Sequence, residues 1–374
     1  MYTKKIFGKS KFWLIVSLSY FTVVIFFIGK SLLNPKNTLY TVQAGEVKSL
    51  TDQIPQYPPL NTADYDLRMI ALANNPIIQI STTTKTATGT VKIIISTTTP
   101  NSPWPVHTAY PDNGAILPFK RIIAYYGNFY STSMGVLGQY PEEEVITKLT
   151  NVVNAWTVAD PNTPAIPAID YIAVTAQGYS GTDNLYRLRM PDDQIEKAIS
   201  MANKVNGITI LDIQPGQSTF EKEIPPLEKY LQMPNVNLGL DPEFAMQPGQ
   251  VPGKIYIGTI DASDINFAID YLSNIVDTYH LPPKILIVHR FTEDMVTNYQ
   301  KIKTVPEVQV VINMDGWGTP ASKLFTYSNY VSDEPVEFTG FKLFYKNDTT
   351  NGNTLMTPDD LLKLNPRPIY IQYQ

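Results

Sequence analysis

"VNLGLDPEF", residues 236–244, is a short apolar, β-rich run that ends abruptly in two carboxylates. Side chains alternate faces along a strand. Asn237, Gly239, Asp241 and, if the chain stays extended, Glu243 therefore share one side, and Leu238 and Leu240 take the other. Pro242 has no N–H and biases Asp241 towards an extended conformation, so ladder pairing should stop about there. What the carboxylates mean depends on the sheet that holds the strand.

Seven further runs share this texture: "KRIIAYYGN" (120–128), "IDYIAVTAQG" (169–178), "GITILDIQPG" (207–216), "KILIVHRF" (284–291), "VQVVINMDGWG" (308–318), "FTGFKLFYK" (338–346) and "RPIYIQYQ" (367–374). Helical patterns separate them near 141–158, 191–205, 218–232, 263–279, 292–303, 319–331 and 357–364, with Ser263-Asp264 and Thr357-Pro358 as starts. Strands alternating with helices imply right-handed βαβ crossovers, and eight strands close a barrel. The expected fold class is α/β, a (β/α)8 TIM barrel over residues 116–374. "GKIYIGTID" (253–261) follows the 236–244 strand with no helix between and is expected as a lip hairpin in the fourth βα loop. No helix follows the last strand. The helix expected at 61–74, with Leu67, Ile70 and Ala71 on one face, is the candidate to close the gap between last strand and first.

Ahead of the barrel, Lys4, Lys5, Lys9 and Lys11 precede "FWLIVSLSYFTVVIFFIG" (12–29), which carries no charge. That is near the minimum for a spanning helix of roughly 17–25 residues. Residues 1–33 thus read as a cytoplasmic Lys-rich tip and a transmembrane signal anchor, with the barrel extracytoplasmic and the bilayer a partner through 12–29. A cleaved signal peptide is the rival, but no small-x-small site closes the run. Residues 34–115 read as a stalk, in which the Thr-rich stretch 77–105 is either a linker or a hairpin turning near Thr88-Gly89.

A formal charge of −5 and a pI near 5.3 give no basic stripe, which disfavours nucleic acid. The absence of cysteine excludes disulfides, thiol catalysis and Cys-ligated zinc. His107, His280 and His289 are the only histidines, so a multi-histidine metal centre is disfavoured and no cofactor is expected.

Barrel sites lie at the carboxyl ends of the strands. Those ends are polar here: Tyr125, Tyr126 and Asn128; Gln177; Asp212 and Gln214; Asp241 and Glu243; His289 and Arg290; Asn313, Asp315 and Trp317; Lys342 and Tyr345; Gln372. Several carboxylates among neutral hydrogen-bonders and aromatic platforms suit glycoside chemistry, which needs a protonated carboxylic acid and a second carboxylate. Glu243 is expected as the acid, for its reach, and Asp241 or Asp212 as the second group; the others are candidate substrate contacts. Lys342 between Phe341 and Leu343 calls for a carboxylate partner such as Asp315. Two alternatives stay open: a carbohydrate- or peptidoglycan-binding barrel without catalysis, and metal-assisted hydrolysis through Asp212, Asp241, Glu243 and Asp315.

"RIIAYYGNFYSTSMGVLG", "LDPEF", "VHRFTEDM", "DGWG" and the closing "PRPIYIQYQ" resemble a family of bacterial secreted or membrane-anchored, glycosidase-like TIM barrels, over about residues 104–374. The resemblance implies a secreted or anchored barrel and assigns no catalytic residue; the chemistry of the mouth makes a polysaccharide or cell-wall glycan the expected partner. The DxxDxDxE signature of chitinase-like barrels is missing from "TILDIQPG".

Overall fold

The computed structural model describes residues 56–75, 78–85, 91–98 and 102–374. The proposed anchor at 12–29 lies outside the described residues, and no described helix is long and apolar enough to cross a membrane.

Eight strands form the barrel: β1 (Arg121–Gly127), β2 (Ala165–Ala176), β3 (Ile208–Ile213), β4 (Val236–Leu240), β5 (Lys284–Arg290), β6 (Val308–Met314), β7 (Phe338–Leu343) and β8 (Tyr370–Tyr373). Each pairs in parallel with the next, and β8 pairs with β1 through Tyr370↔Ile122 to Tyr373↔Tyr125, so the sheet closes. Most strands are buried on both faces, as a barrel wrapped in helices requires. Outward residues such as Ile123, Leu211, Leu238 and Leu286 join the large core beneath the helices.

The principal helices are α1 (Thr62–Ala73), α2 (Glu142–Ala159), α3 (Asp192–Lys204), α4 (Ala262–Tyr279) and α5 (Pro320–Tyr327). Asp261 and Asp264 form a capping box on α4, and Thr319 caps α5 with Pro320 in its first turn. Three crossovers depart from the expected helices. Pro225-Pro226 breaks 218–232 into single turns. Residues 357–364 shorten to one capped turn, Pro358–Leu361. Residues 292–303 hold only 3-10 turns at Glu293–Met295 and Tyr299–Lys301. There the buried Arg290 guanidinium binds the carbonyls of Thr292, Glu293 and Val296, curling the segment around itself. The expected lip hairpin at 253–261 is also absent. That segment is a loop drawn against the β4 end by Gly258 N–H donating to the Glu243 carbonyl at 2.7 Å, and only Ile260–Asp261 pairs, in parallel with Val296–Thr297.

Helix α1 does not close the β8–β1 seam. Tyr65, Met69 and Leu72 stand on one face at helical spacing and join Leu117, Ile122, Ile208, Ile285 and Phe338 in a second core. Ile122, Ile208, Ile285 and Phe338 point into the barrel near the N-terminal ends of their strands, so α1 stoppers that end. Leu67 and Ile70, expected on the packed face, are exposed. The bulkier Tyr-Met-Leu stripe meets the opening instead. Outside the seam, Trp156 of α2 donates to the Tyr373 hydroxyl at 2.9 Å, and Tyr345 stacks on Tyr373. Residues Ile78–Lys85 and Val91–Thr98 form an antiparallel pair in register from Ile78↔Thr98 to Lys85↔Val91. Of the two readings of the Thr-rich stretch, the antiparallel pairing is that of a hairpin.

Candidate functional site

Towards the carboxyl ends of the strands the barrel interior changes from apolar to charged. Asp212 (β3), His289 (β5) and Asp315, one residue beyond the last rung of β6, are all buried. His289 Nε2 lies 2.7 Å from Asp212 Oδ2, and Nδ1 lies 2.9 Å from Asp315 Oδ2. With an ionised carboxylate at each nitrogen, the ring carries a hydrogen on both, and the arrangement favours the imidazolium form of His289. Burial alone would lower its pKa, but Asp212 and Asp315 outweigh burial and hold it well above the ordinary value. Asp315 Oδ1 accepts from Lys342 Nζ at 2.9 Å. Burial raises the Asp315 pKa, yet Lys342 and His289 together keep it below the usual range. Lys342 also rests over the Tyr126 ring, 3.9 Å from its centroid.

Two glycines leave room for this layer. A Cβ at Gly239 would stand 2.6 Å from Asp212 Oδ2, and one at Gly340 would stand 2.6 Å from Asn313 Oδ1. Asn313 packs beside His289 and donates weakly to Gln372 Oε1 at 3.4 Å. Gln372 and Tyr370, on β8, both donate to Asp170 Oδ2, at 2.6 and 2.5 Å.

Above this layer opens a cavity of about 610 Å³, lined by Asp241, Glu243, Asp315, Lys342, Gln214 and Tyr126 together with Trp317, Phe244, Phe291 and Phe344. Asp241 ends β4 facing inward, as alternation requires, and accepts from Gln214 Nε2 at 3.2 Å. It also caps the 3-10 turn Pro242–Phe244, its Oδ1 accepting from Glu243 N–H at 3.2 Å. Glu243 therefore reaches the cavity from a turn and not from an extended strand. Burial first, and then the charge of Asp315, raises its pKa to about 7. Asp241 is raised as well, chiefly by burial.

Of the residues expected at the site, Glu243, Asp241, Gln214, Tyr126, Asp315, Trp317 and Lys342 line the cavity. Asp212, His289, Asn313 and Gln372 lie beneath its floor. Five residues lie elsewhere. Tyr125 points outward to meet Tyr345 at 3.1 Å between hydroxyls, which takes both out of the mouth. Asn128 donates to the Ile172 carbonyl at 3.0 Å. Arg290 points outward, to Glu334 and the loop carbonyls. Gln177 sits in the loop after β2, outside the lining. Asp170 was not anticipated, although it interrupts the apolar run "AIDYIAV"; attention to strand ends passes over it because β2 continues six residues beyond, to Ala176.

Among the described residues, ligand atoms of Asp170, Asp212 and His289 lie within 4.8 Å of one another. With both ring nitrogens engaged by carboxylates, His289 offers no lone pair to a metal. The four carboxylates weighed from sequence do not form such a group.

No family model matches the chain, and no curated protein matches it. Solved structures similar to it include Cellulase Cel5C_n, at 11% identity and TM-score 0.39, covering 68% of this chain and 75% of that one. A ruminal GH26 endo-beta-1,4-mannanase follows at 13% identity and TM-score 0.34, over 68% of this chain and 59% of the other. The Bacillus subtilis mannanase BCman aligns at 12% identity and TM-score 0.33, over 69% and 81%. The closed barrel itself rests on the strand order described above.

Proposed function

We propose that the protein is a glycoside hydrolase-like enzyme, with Glu243 as general acid and Asp315 as the ionised partner carboxylate. One observation carries this reading: two carboxyl groups line the same cavity in environments that push their pKa values apart. Glu243 is held protonated to about pH 7 by burial and by its acidic neighbour. Asp315 is held ionised by an ammonium and an imidazolium. Such opposed pairs assign the acid and the base. Glu243 would give its proton to the leaving glycosidic oxygen, and Asp315 would act as base or nucleophile at the anomeric carbon. Trp317, 64% exposed beside the cavity, offers a flat apolar face to a sugar ring. Asp241 and Asp212, expected from sequence as the second group, take supporting parts: Asp241 sets the Glu243 turn and Asp212 sets His289.

The lysine-flanked apolar run at 12–29 supports, within the same proposal, a chain anchored in the cell membrane with its barrel extracytoplasmic and a wall or extracellular glycan as substrate. The test is reducing-end release from a panel of bacterial wall and exopolysaccharide glycans. Glu243→Gln and Asp315→Asn should each lower turnover by about 10²–10⁴-fold. Parental rates in both variants contradict the assignment, and binding without cleavage by the wild type indicates a recognition barrel.

A further inference from the structure

The acid, its partner and the groups that set them leave Asp170, beside Asp212, without an assigned part. Both are fully buried beneath the cavity. The donors of Tyr370 and Gln372 go to Asp170 Oδ2, and His289 goes to Asp212 Oδ2. Among the described residues, Asp170 Oδ1 and Asp212 Oδ1 have no hydrogen-bond partner. Two acceptor oxygens without a donor, sealed from solvent, carry a desolvation cost that something must relieve.

Charge decides what that is. Asp212 and Asp315 bring two negative charges, and His289 and Lys342 bring two positive ones. The layer is neutral only if Asp170 brings none. A divalent cation beside an ionised Asp170 would leave a positive excess in a closed interior, and the imidazolium has no lone pair to hold it. A proton on Asp170 balances the charge and makes it a donor towards Asp212, a carboxyl oxygen of which lies within 4.8 Å of one of its own. A carboxyl acts as a donor only in its acid form, so neither group can donate to the other while both are ionised.

We infer that Asp170 and Asp212 share one proton, and that this pair, acting through His289, holds Asp315 as a carboxylate at the cavity. Asp170 and Asp212 are then positioning residues. Burial and the neighbouring Asp212 charge push Asp170 up to about 7, which agrees with the geometry. The groups facing Asp170 are Tyr126 from β1, Asp212 from β3, His289 from β5, and Tyr370 and Gln372 from β8. The role given to Asp315 rests on the proposed function; the shared proton does not.

The test compares the full-length wild type with Asp170→Asn and Asp170→Leu. The amide of Asp170→Asn retains a donor towards Asp212. That variant should keep its melting temperature and its doubly protonated His289, read from imidazole ¹⁵N signals among only three histidines. It should also lose one protonated-carboxyl infrared band that the wild type shows near neutrality. Asp170→Leu removes the donor and should melt lower. If the wild type has no such band, if Asp170→Leu melts with Asp170→Asn, or if Mn²⁺, Zn²⁺ or Ca²⁺ raises the wild-type melting temperature and not that of Asp170→Asn, the inference is overturned. Should the wild type cleave no glycan, the catalytic proposal fails while these spectroscopic results still decide the proton. Where it does cleave one, Asp170→Leu should lower kcat and shift the pH profile with little change in KM, and Asp170→Asn should restore both.

Discussion

The two ends of the barrel interior are built by the same eight strands and differ in nearly everything else. At the N-terminal end, Ile122, Ile208, Ile285 and Phe338 meet Tyr65, Met69 and Leu72 of α1 in an apolar stopper. A few residues further along, β2, β3, β5 and β7 turn Asp170, Asp212, His289 and Lys342 into the same space. One end is stabilised by area removed from water and tolerates changes in proportion to volume. The other is stabilised by pairing, so removing one member strands its partner. Fold and chemistry are thus kept at opposite ends of the same strands.

Substitutions at each end sharpen that contrast. Asp315→Asn should have the largest effect, because it loses the partner carboxylate and leaves Lys342 and His289 short of countercharge. A stability loss of about 3–5 kcal/mol, read by denaturant unfolding, should accompany the catalytic loss. At the stopper, Leu72→Ala should cost about 2–5 kcal/mol while leaving turnover per folded molecule unchanged. A Leu72→Ala variant that loses turnover while still folded would break the separation of the two ends.

The pH dependence follows with a defined sign. Asp170 and Glu243 hold protons in the folded state up to about 7, whereas the unfolded chain releases them near pH 4. The native state therefore binds more protons across that window, and stability should fall as pH rises from about 4 to 7. Asp315 has the opposite sign and stabilises as pH rises through the ordinary carboxylate range. Melting temperatures against pH should show the fall, and Glu243→Gln should flatten part of it. The smallest effect belongs to Trp317→Ala. Its exposure limits the stability change to about 0.5 kcal/mol, with weaker binding of long glycans measured as a raised KM.

How far the sequence could be read follows from the same architecture. The strands were legible because each is a short apolar run between turn signals, and Asp241 was legible because Pro242 stops its strand. Parity was harder. A barrel strand is buried on both faces, so an apolar run does not reveal which side points inward. Tyr125 and Tyr126 are neighbours, yet only Tyr126 faces the cavity; His289 and Arg290 divide in the same way, inward and outward. The crossover at 292–303 departs from its helical pattern because its carbonyls bind a guanidinium supplied by the preceding strand, which no local helix pattern records. Helix α1 existed where its periodicity placed it, but the choice between the Leu67-Ile70 and the Tyr65-Met69-Leu72 face required the opening it fills.

Site-resolved ¹³C titration of the Glu243 and Asp315 carboxyls is the most direct check on the acid–base pair. Glu243 should titrate near 7 and Asp315 below the ordinary carboxylate range. Coincident titration of the two close to pH 4, the ordinary value of about 4 for free side chains, would contradict the account.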